Sequence, residues 1–211
     1  MPRTKEQNRQ NREQKRNRIL REAITLFSLH GYSETTIAAV AKAANVSFGS
    51  VFTYFPSKEE LFQAAVLEPL DELRPMFVDV DVPDGSPLAH IMKMVELHVR
   101  TFSLREEYLR LVQYVLGHRS RFPELFSELD GFLNDVREAL RPIIIKGQQS
   151  GELQPIDPDL ICMSYVSFLN GIRLTITDDP TNGIWQLFMQ QALRLFGPRD
   201  ESVYSIIGKG V

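Results

Sequence analysis

The chain has 211 residues, 43% hydrophobic and 24% charged, so it is long enough to bury a substantial core. Its single cysteine, Cys162, excludes an intrachain disulfide and argues against a cysteine-based zinc site. Residues 1–58 hold ten Lys or Arg against four Asp or Glu, whereas residues 59–211 hold fourteen against twenty-three. This asymmetry predicts that only the N-terminal part contacts a polyanion.

The sequence shows no export or membrane signal. The first 18 residues are basic but lack an apolar stretch, so we expect no secretory signal. The longest apolar run, residues 160–176, is interrupted by Ser164, Ser167, Asn170 and Arg173, and is therefore not a membrane span. We expect a cytoplasmic protein whose Cys162 is a buried thiol in an apolar helix.

Hydrophobic spacing predicts an all-α fold of about nine helices. The first runs over residues 12–30 and ends at Gly31, a residue suited to a left-handed C-terminal cap. Thr36 caps a short helix that ends near residue 43, and Asn45 fits a left-handed turn position. Ser47 then caps a helix to about residue 54. The first 58 residues therefore predict three helices, of which the last two are short and joined by a tight turn.

A longer helix is predicted over residues 58–77. Pro69 lies inside its pattern and removes one backbone hydrogen bond, so we expect the helix to be kinked or split there. Residues 78–87 predict a loop. Hydrophobic spacing predicts five further helices, over residues 87–104, 106–119, 123–148, 158–177 and 182–196.

The last two of these helices are apolar on more than one side. Helix 158–177 is apolar almost all round, and helix 182–196 carries one stripe through Leu187 and a second through Trp185. Two apolar faces at the end of a chain are most simply covered by a second copy, which predicts a homodimer through these helices. The alternative is that both faces pack within one subunit.

The two short helices are typical of a helix-turn-helix, which places its second helix in the major groove of double-stranded DNA. Small hydroxyl residues and a glycine allow close approach to bases, and Tyr54 and Lys58 can reach phosphates. The candidate contacts are Thr36, Ser47, Phe48, Gly49, Ser50, Thr53, Tyr54 and Lys58. The alternative is that the serines are only caps and Tyr54 is only core.

A basic segment precedes the hydrophobic stripe of the first helix. Arg12, Lys15, Arg16 and Arg18 belong to an arm that can reach the minor groove or the flanking DNA backbone. The alternative is a solvated, disordered tail.

Residues 19–66 resemble the tetracycline-repressor (TetR) family of bacterial transcription regulators. The matching positions are Gly31-Tyr32, Thr35-Thr36, Ile37, Ala41, Ala44, Val46, Ser47, Gly49, Tyr54-Phe55 and Lys58. The sequence departs from the commoner pattern at Phe48, where a polar or basic residue is frequent, and at Thr53, where a ring is frequent. Both departures concern base reading, so the operator does not follow from the resemblance.

The resemblance implies a DNA-binding domain over residues 1–58 and a ligand-binding and dimerisation domain over residues 59–211. It also implies a repressor released from a palindromic operator by a small apolar or amphipathic effector. The alternative is a DNA-binding structural or partner-recruiting protein of the same fold without an effector. No nucleophile–base pair, phosphate loop or metal spacing indicates an enzyme or a cofactor.

The effector pocket has five candidate residues in the second domain: His98, Phe102, Tyr114, Phe168 and Arg173. His98 and Phe102 share one apolar stripe and therefore point inward. For His98, Tyr114 and Phe168 the alternative is a place in the hydrophobic core, and for Arg173 it is a pair across the dimer or a position at its edge.

Overall fold

We analysed a computed structural model of the chain, which describes residues 5–78, 85–172, 179 and 181–207. Across these residues it contains nine α-helices, one 3-10 helix and no β-strand: α1 Lys5–Glu34, α2 Ile37–Ala43, α3 Phe48–Tyr54, α4 Lys58–Val78, α5 Pro87–Leu104, α6 Glu106–Gly117, α7 Pro123–Gln149, α8 Pro158–Ile172, α9 Ile184–Arg194 and the 3-10 helix Glu201–Ser205. The predicted all-α fold is confirmed.

The N-terminal unit of α1, α2 and α3, here called the head, packs around a small apolar core. Ile19, Phe27, Val40 and Val51 are fully buried in it. Helix α1 deviates from helical geometry at Gly31, where φ is 71° and ψ is 176°. Such a conformation strongly favours glycine, and it lets the chain turn from α1 towards α2.

Helix α4 connects the head to the remaining helices, here called the body. It packs against α1, α7 and, less extensively, α5 and α6, while α9 lies against α5 and α8 against α7. Of the two outcomes expected at Pro69, the split is wrong, because α4 runs as one helix through both Pro69 and Pro75, and the kink stays a prediction. A proline interrupts only the local backbone bond, and burial of its ring among neighbouring helices offsets that loss.

The sequence located most helix bounds to within a few residues. The clearest error is α1, which begins at Lys5 rather than residue 12. Its first turns are polar, so no hydrophobic stripe marked them. Most of the predicted loop 78–87 and the last part of the predicted helix 158–177 lie outside the described residues.

One further expectation is met. Cys162 is buried, and burial raises the pKa of its thiol to about 11. In the part of the chain that the structure describes, no helix is both long and apolar enough to cross a membrane.

Candidate nucleic-acid interface and buried cavity

Local hydrogen bonds fix the turn between α2 and α3. The Thr36 hydroxyl accepts a hydrogen bond from the Ala39 amide at 3.1 Å and caps α2. Asn45 adopts a φ of 51°, and the amide of Val46 donates to the carbonyl of Ala41. Ser47 caps α3 by accepting from the Ser50 amide at 3.3 Å. The predicted caps and left-handed turn are therefore present, and they set the angle at which α3 leaves α2.

The outer face of α3 is open. Val51 is buried against the head, whereas Phe48, Phe52 and Thr53 are exposed. A side-chain carbon built at Gly49 meets nothing within 4 Å, so this stretch of backbone is accessible from outside. Sequence reasoning missed Phe52. Its position one turn after Phe48, and next to the buried Val51, is the signal that places it outward.

From Lys5, where the described residues begin, the basic segment is helix rather than a disordered arm. Its side chains are good helix formers, and Arg9 pairs with Glu6 one turn earlier at 2.9 Å. This helical extension and the last two residues of α3 line an open groove. The groove is lined by Asn8, Asn11, Arg12, Gln14, Lys15, Arg18, Thr53 and Tyr54.

Three of the four predicted arm cations, Arg12, Lys15 and Arg18, therefore lie on one wall of a groove whose other wall belongs to α3. The Arg12 guanidinium lies 5.9 Å from the centre of the Tyr54 ring. The groove combines cations, amides and hydroxyls, which are the groups that bind a phosphate backbone.

Arg16 and Lys58 have their charged groups in contacts within the chain. Both terminal nitrogens of Arg16 donate to the Glu68 carboxylate, one at 2.8 Å, and the guanidinium lies 4.8 Å from the centre of the Phe55 ring. The hydrogen bond to Glu68 raises the pKa of Arg16. Lys58 donates to the Ser33 carbonyl at 3.2 Å. These two residues hold the head against α4, a role that sequence reasoning did not foresee.

The junction between head and body contains a cluster of aromatic rings. Tyr32 donates to the Glu59 carboxylate, and Arg121 lies 5.2 Å from the Tyr32 ring centre. Burial, with a smaller contribution from the Glu59 hydrogen bond, raises the pKa of Tyr32 to about 12. Tyr114 belongs to this junction: a side-chain carbon built on Gly31 would lie 3.0 Å from its ring.

A small cavity lies inside the body. It holds about 60 Å³ and is lined by residues from α4, α5, α6, α7 and α8. The walls are almost entirely apolar, and the lining residues with polar side-chain groups are Asn170 and Tyr108. The Tyr108 hydroxyl donates to the Val66 carbonyl at 2.9 Å and is thus already satisfied.

Of the five predicted pocket residues, only Phe102 lines this cavity. Tyr114 lies at the head–body junction instead. Phe168 packs on Phe188 of α9 with ring centres 6.0 Å apart, because this face of α8 points away from the cavity. Arg173 lies outside the described residues.

His98 lies behind the cavity wall. Its ring stacks on Phe77, a wall residue, at 4.0 Å, and its Nδ1 is 2.9 Å from the Tyr165 hydroxyl. His98 is fully buried, which lowers its pKa to about 3. The Met76 carbonyl weakly opposes this shift, yet Nε2 has no hydrogen-bond partner of normal geometry among the described residues.

Helices α8 and α9 each carry exposed hydrophobic side chains. Leu160, Met163 and Leu187 are each at least half exposed, although they are large and hydrophobic. The inner stripe of α9, which includes Trp185 and Met189, is buried. Of the two stripes predicted on this helix, one is therefore buried within the subunit, and the other is half-buried except at Leu187 and Gln191, which are exposed.

Metal binding finds no support in the described parts of the chain, which contain no group of three or more His, Cys, Asp or Glu side chains placed to hold an ion.

Comparison with known proteins identifies the family. Residues 19–65 match the family model described as bacterial regulatory proteins, tetR family. The HTH-type transcriptional regulator RutR of Escherichia coli strain K12 is 32% identical over 155 residues, which cover 72% of this chain and 71% of RutR. The biofilm operon icaADBC HTH-type negative transcriptional regulator IcaR of Staphylococcus aureus strain Newman is 26% identical over 145 residues, 68% of this chain and 75% of IcaR.

Solved structures agree with this assignment. A tetR-family bacterial regulatory protein from Rhodococcus RHA1 has a TM-score of 0.74 at 26% identity, and the match covers 88% of this chain and 98% of that one. The ketosteroid transcriptional regulator KstR2 of Mycobacterium tuberculosis shares the fold, with a TM-score of 0.73 at 19% identity over 86% of this chain and 92% of its own. The relatives are regulators of transcription and not enzymes. The chain therefore belongs to the TetR family of transcriptional regulators.

Proposed function

We propose that this chain is a homodimeric repressor that binds a palindromic DNA operator through α2 and α3 and is released by a small apolar or amphipathic effector. We place the boundary between its DNA-binding and effector domains at residue 58. The observation that carries the proposal is the groove in which Arg12, Lys15 and Arg18 face Thr53 and Tyr54 across the side of α3.

The charge distribution supports DNA as the partner. The proposed phosphate contacts are Arg12, Lys15, Arg18 and Tyr54, because the structure brings these residues to one open groove. Lys58 remains in the proposal, since its ammonium group has three donors and Ser33 accepts from one of them. Arg16 is left out because Glu68 occupies its guanidinium.

The exposed hydrophobic face of α8 and α9 supports a homodimer. A two-fold axis through this face would place the same residues of two subunits against each other, and it would present two α3 helices to one side of a duplex. In size-exclusion chromatography with light scattering, Leu187→Asp should convert dimer to monomer. Leu104→Asp is the matched control, because Leu104 is equally exposed but lies on α5.

The cavity supports an effector only if it expands. Its 60 Å³ is about the volume of two water molecules, whereas pockets for small molecules hold about 300–1,000 Å³. A ligand that opens the cavity binds a second conformation and shifts the population towards it. Because α4 lines the cavity and also carries Glu68 and Glu59, such a shift reaches the head directly.

Two measurements test the function. The first is the slope of log affinity for the operator against log salt concentration. Its magnitude should fall by about 0.9 for each phosphate contact removed, for example by Lys15→Ala. The second is a screen of apolar and amphipathic compounds for those that both raise the melting temperature and release DNA. Val112→Phe, which fills the cavity from its wall, should keep DNA binding and abolish release.

The alternative is a DNA-bound structural or partner-recruiting protein of the same fold, without an effector. The small volume of the cavity is the observation that favours it. This alternative would be selected if no compound of a broad panel stabilised the protein or released DNA, and if Val112→Phe bound DNA as the wild type does. DNA as the partner also places the protein in the cytoplasm, which is part of the proposal.

A further inference from the structure

The exposed face of α3 is aromatic rather than polar. Phe48 is 56% exposed and Phe52 is 38% exposed. Among the described residues, these are the two aromatic side chains in the group of large hydrophobic residues that remain exposed. They lie one turn apart on α3 and both are exposed, so they project from the helix on the same side.

The two rings form a fixed unit. Their centres are 5.2 Å apart and their planes meet at 67°, the edge-to-face geometry that aromatic pairs prefer. Nothing lies within 4 Å of a side-chain carbon built at Gly49, beside Phe48, so no neighbouring group shields the pair on that side. Two large rings are therefore held in place in a position where water covers them.

The hydrogen-bonding groups of α3 are mostly engaged. The Ser47 and Ser50 hydroxyls lie 2.7 Å apart and bond each other, and the Thr53 hydroxyl donates to the Gly49 carbonyl at 3.3 Å. The helix Phe48–Tyr54 contains no Arg, Lys, Asn or Gln, the side chains that form bidentate contacts with guanine or adenine. The largest base-reading surface that α3 offers is thus apolar.

In the major groove, the apolar feature that distinguishes one base from another is the C5-methyl group of thymine. Resting on the DNA-binding function proposed above, we infer that Phe48 and Phe52 form an aromatic reading pair that recognises C5-methyl groups of pyrimidines in the operator. Thymine supplies this group in unmodified DNA, and 5-methylcytosine supplies the same group in methylated DNA.

Charge favours DNA over a protein as the occupant of this face. Thr53, the residue after Phe52, lines the same groove as Arg12, Lys15 and Arg18. A duplex would place its phosphates against these cations while its groove faces the two rings. A hydrophobic protein surface would cover the rings but leave the cations without anionic partners.

The test begins with an operator selected from random DNA by the wild-type, full-length protein. Each thymine of this operator is then replaced in turn by uracil, which removes the methyl group and leaves the hydrogen-bonding edges unchanged. We expect affinity to fall about fourfold for each methyl group that the rings bury, and to stay constant at other thymines. The salt dependence should not change, because no phosphate contact is lost.

Variants of the protein assign the effect to the rings. Phe48→Ala should bind the thymine and uracil operators equally at the position that Phe48 reads, whereas Phe48→Leu should retain most of the preference. Leu104→Ala is the matched control, since it removes a similarly exposed side chain from α5 and should keep the full preference. Circular dichroism checks that each variant is folded.

Modified bases separate the two sources of the methyl group. At a sensitive position, a cytosine–guanine pair should bind more weakly than the thymine–adenine pair, and 5-methylcytosine should recover about fourfold of that loss.

Three outcomes would overturn the inference. The first is that replacing thymine by uracil leaves the affinity unchanged at every position. The second is that Phe48→Ala keeps the wild-type preference for thymine over uracil. The third is that Phe48→Ala leaves DNA binding intact but changes self-association. The last would make this face a contact between copies of the chain. If the wild type selects no operator, the proposed function itself fails. A selected operator that is indifferent to uracil contradicts only the methyl-group inference.

Discussion

His98 predicts a specific loss of stability in acid. The ring is fully buried, and burial lowers its pKa from 6.5 to about 3. Between these two values the unfolded chain binds a proton at this histidine and the folded chain does not. Stability therefore falls as pH decreases through this window, by about 1.4 kcal/mol per pH unit at full slope.

The expected effect is large enough to measure. With these two pKa values, the contribution of His98 falls by about 2–3 kcal/mol between pH 6 and pH 4. For a protein of this size, 1 kcal/mol corresponds to about 2–4 °C in melting temperature, so the shift is about 5–10 °C. Other groups also titrate between pH 4 and pH 6. A variant that lacks only this imidazole retains them, so the difference between the two proteins isolates the effect of His98.

The assay compares urea unfolding of the wild type and His98→Phe from pH 7 to pH 4. Phenylalanine can keep the stacking on Phe77 but leaves the Tyr165 hydroxyl without a partner, which costs about 1–3 kcal/mol at all pH values. The double variant His98→Phe/Tyr165→Phe removes that offset. Both variants should lose less stability in acid than the wild type. Parallel pH profiles for all three proteins would refute the reasoning.

Three further predictions concern the head and the dimer. Gly31→Ala and Gly151→Ala both force a side chain into a left-handed conformation and should each cost about 1–2 kcal/mol in urea unfolding. Gly31→Ala should cost more, because its new carbon meets a ring at 3.0 Å, and equal losses would contradict this. Arg12→Ala should lower the salt slope of DNA binding by about 0.9, whereas Arg16→Ala should leave it unchanged and cost up to about 1 kcal/mol of stability. If both arginines change the salt slope equally, the assignment of Arg16 to Glu68 is wrong. Leu187→Asp should abolish cooperative operator binding along with the dimer, as gel-shift titration would show.

Local chemistry made the head predictable. The caps at Thr36 and Ser47 and the left-handed turn at Asn45 each depend on a few neighbouring residues, and all three are present in the structure. The buried stripe of α9 was equally readable, because helical periodicity determines which side chains share a face.

Contacts between distant residues could not be read in this way. Glu68 lies 52 positions after Arg16, and no spacing rule connects them. The same holds for Tyr114, whose position against Gly31 follows from how α6 packs on α1. Sequence periodicity shows that a side chain points inward, as for His98 and Phe102. It does not show whether the side chain reaches a cavity or packs beside one.

The effector cavity is hard to predict for a further physical reason. Its walls are the same apolar side chains that form the core, and its volume depends on small displacements of five helices. The proline in α4 illustrates a related point, since Pro69 is buried and the helix continues through it although propensity predicted a kink or a split.

The most direct test of the account is selection of DNA from a random pool by the purified protein, with the mass of the complex measured on the selected sequence. The account predicts an inverted repeat whose half-sites are centred about one helical turn apart, 34–36 Å, and occupied by a dimer. Recovery of a single unrepeated site bound by a monomer, or no enrichment at physiological salt, would contradict it.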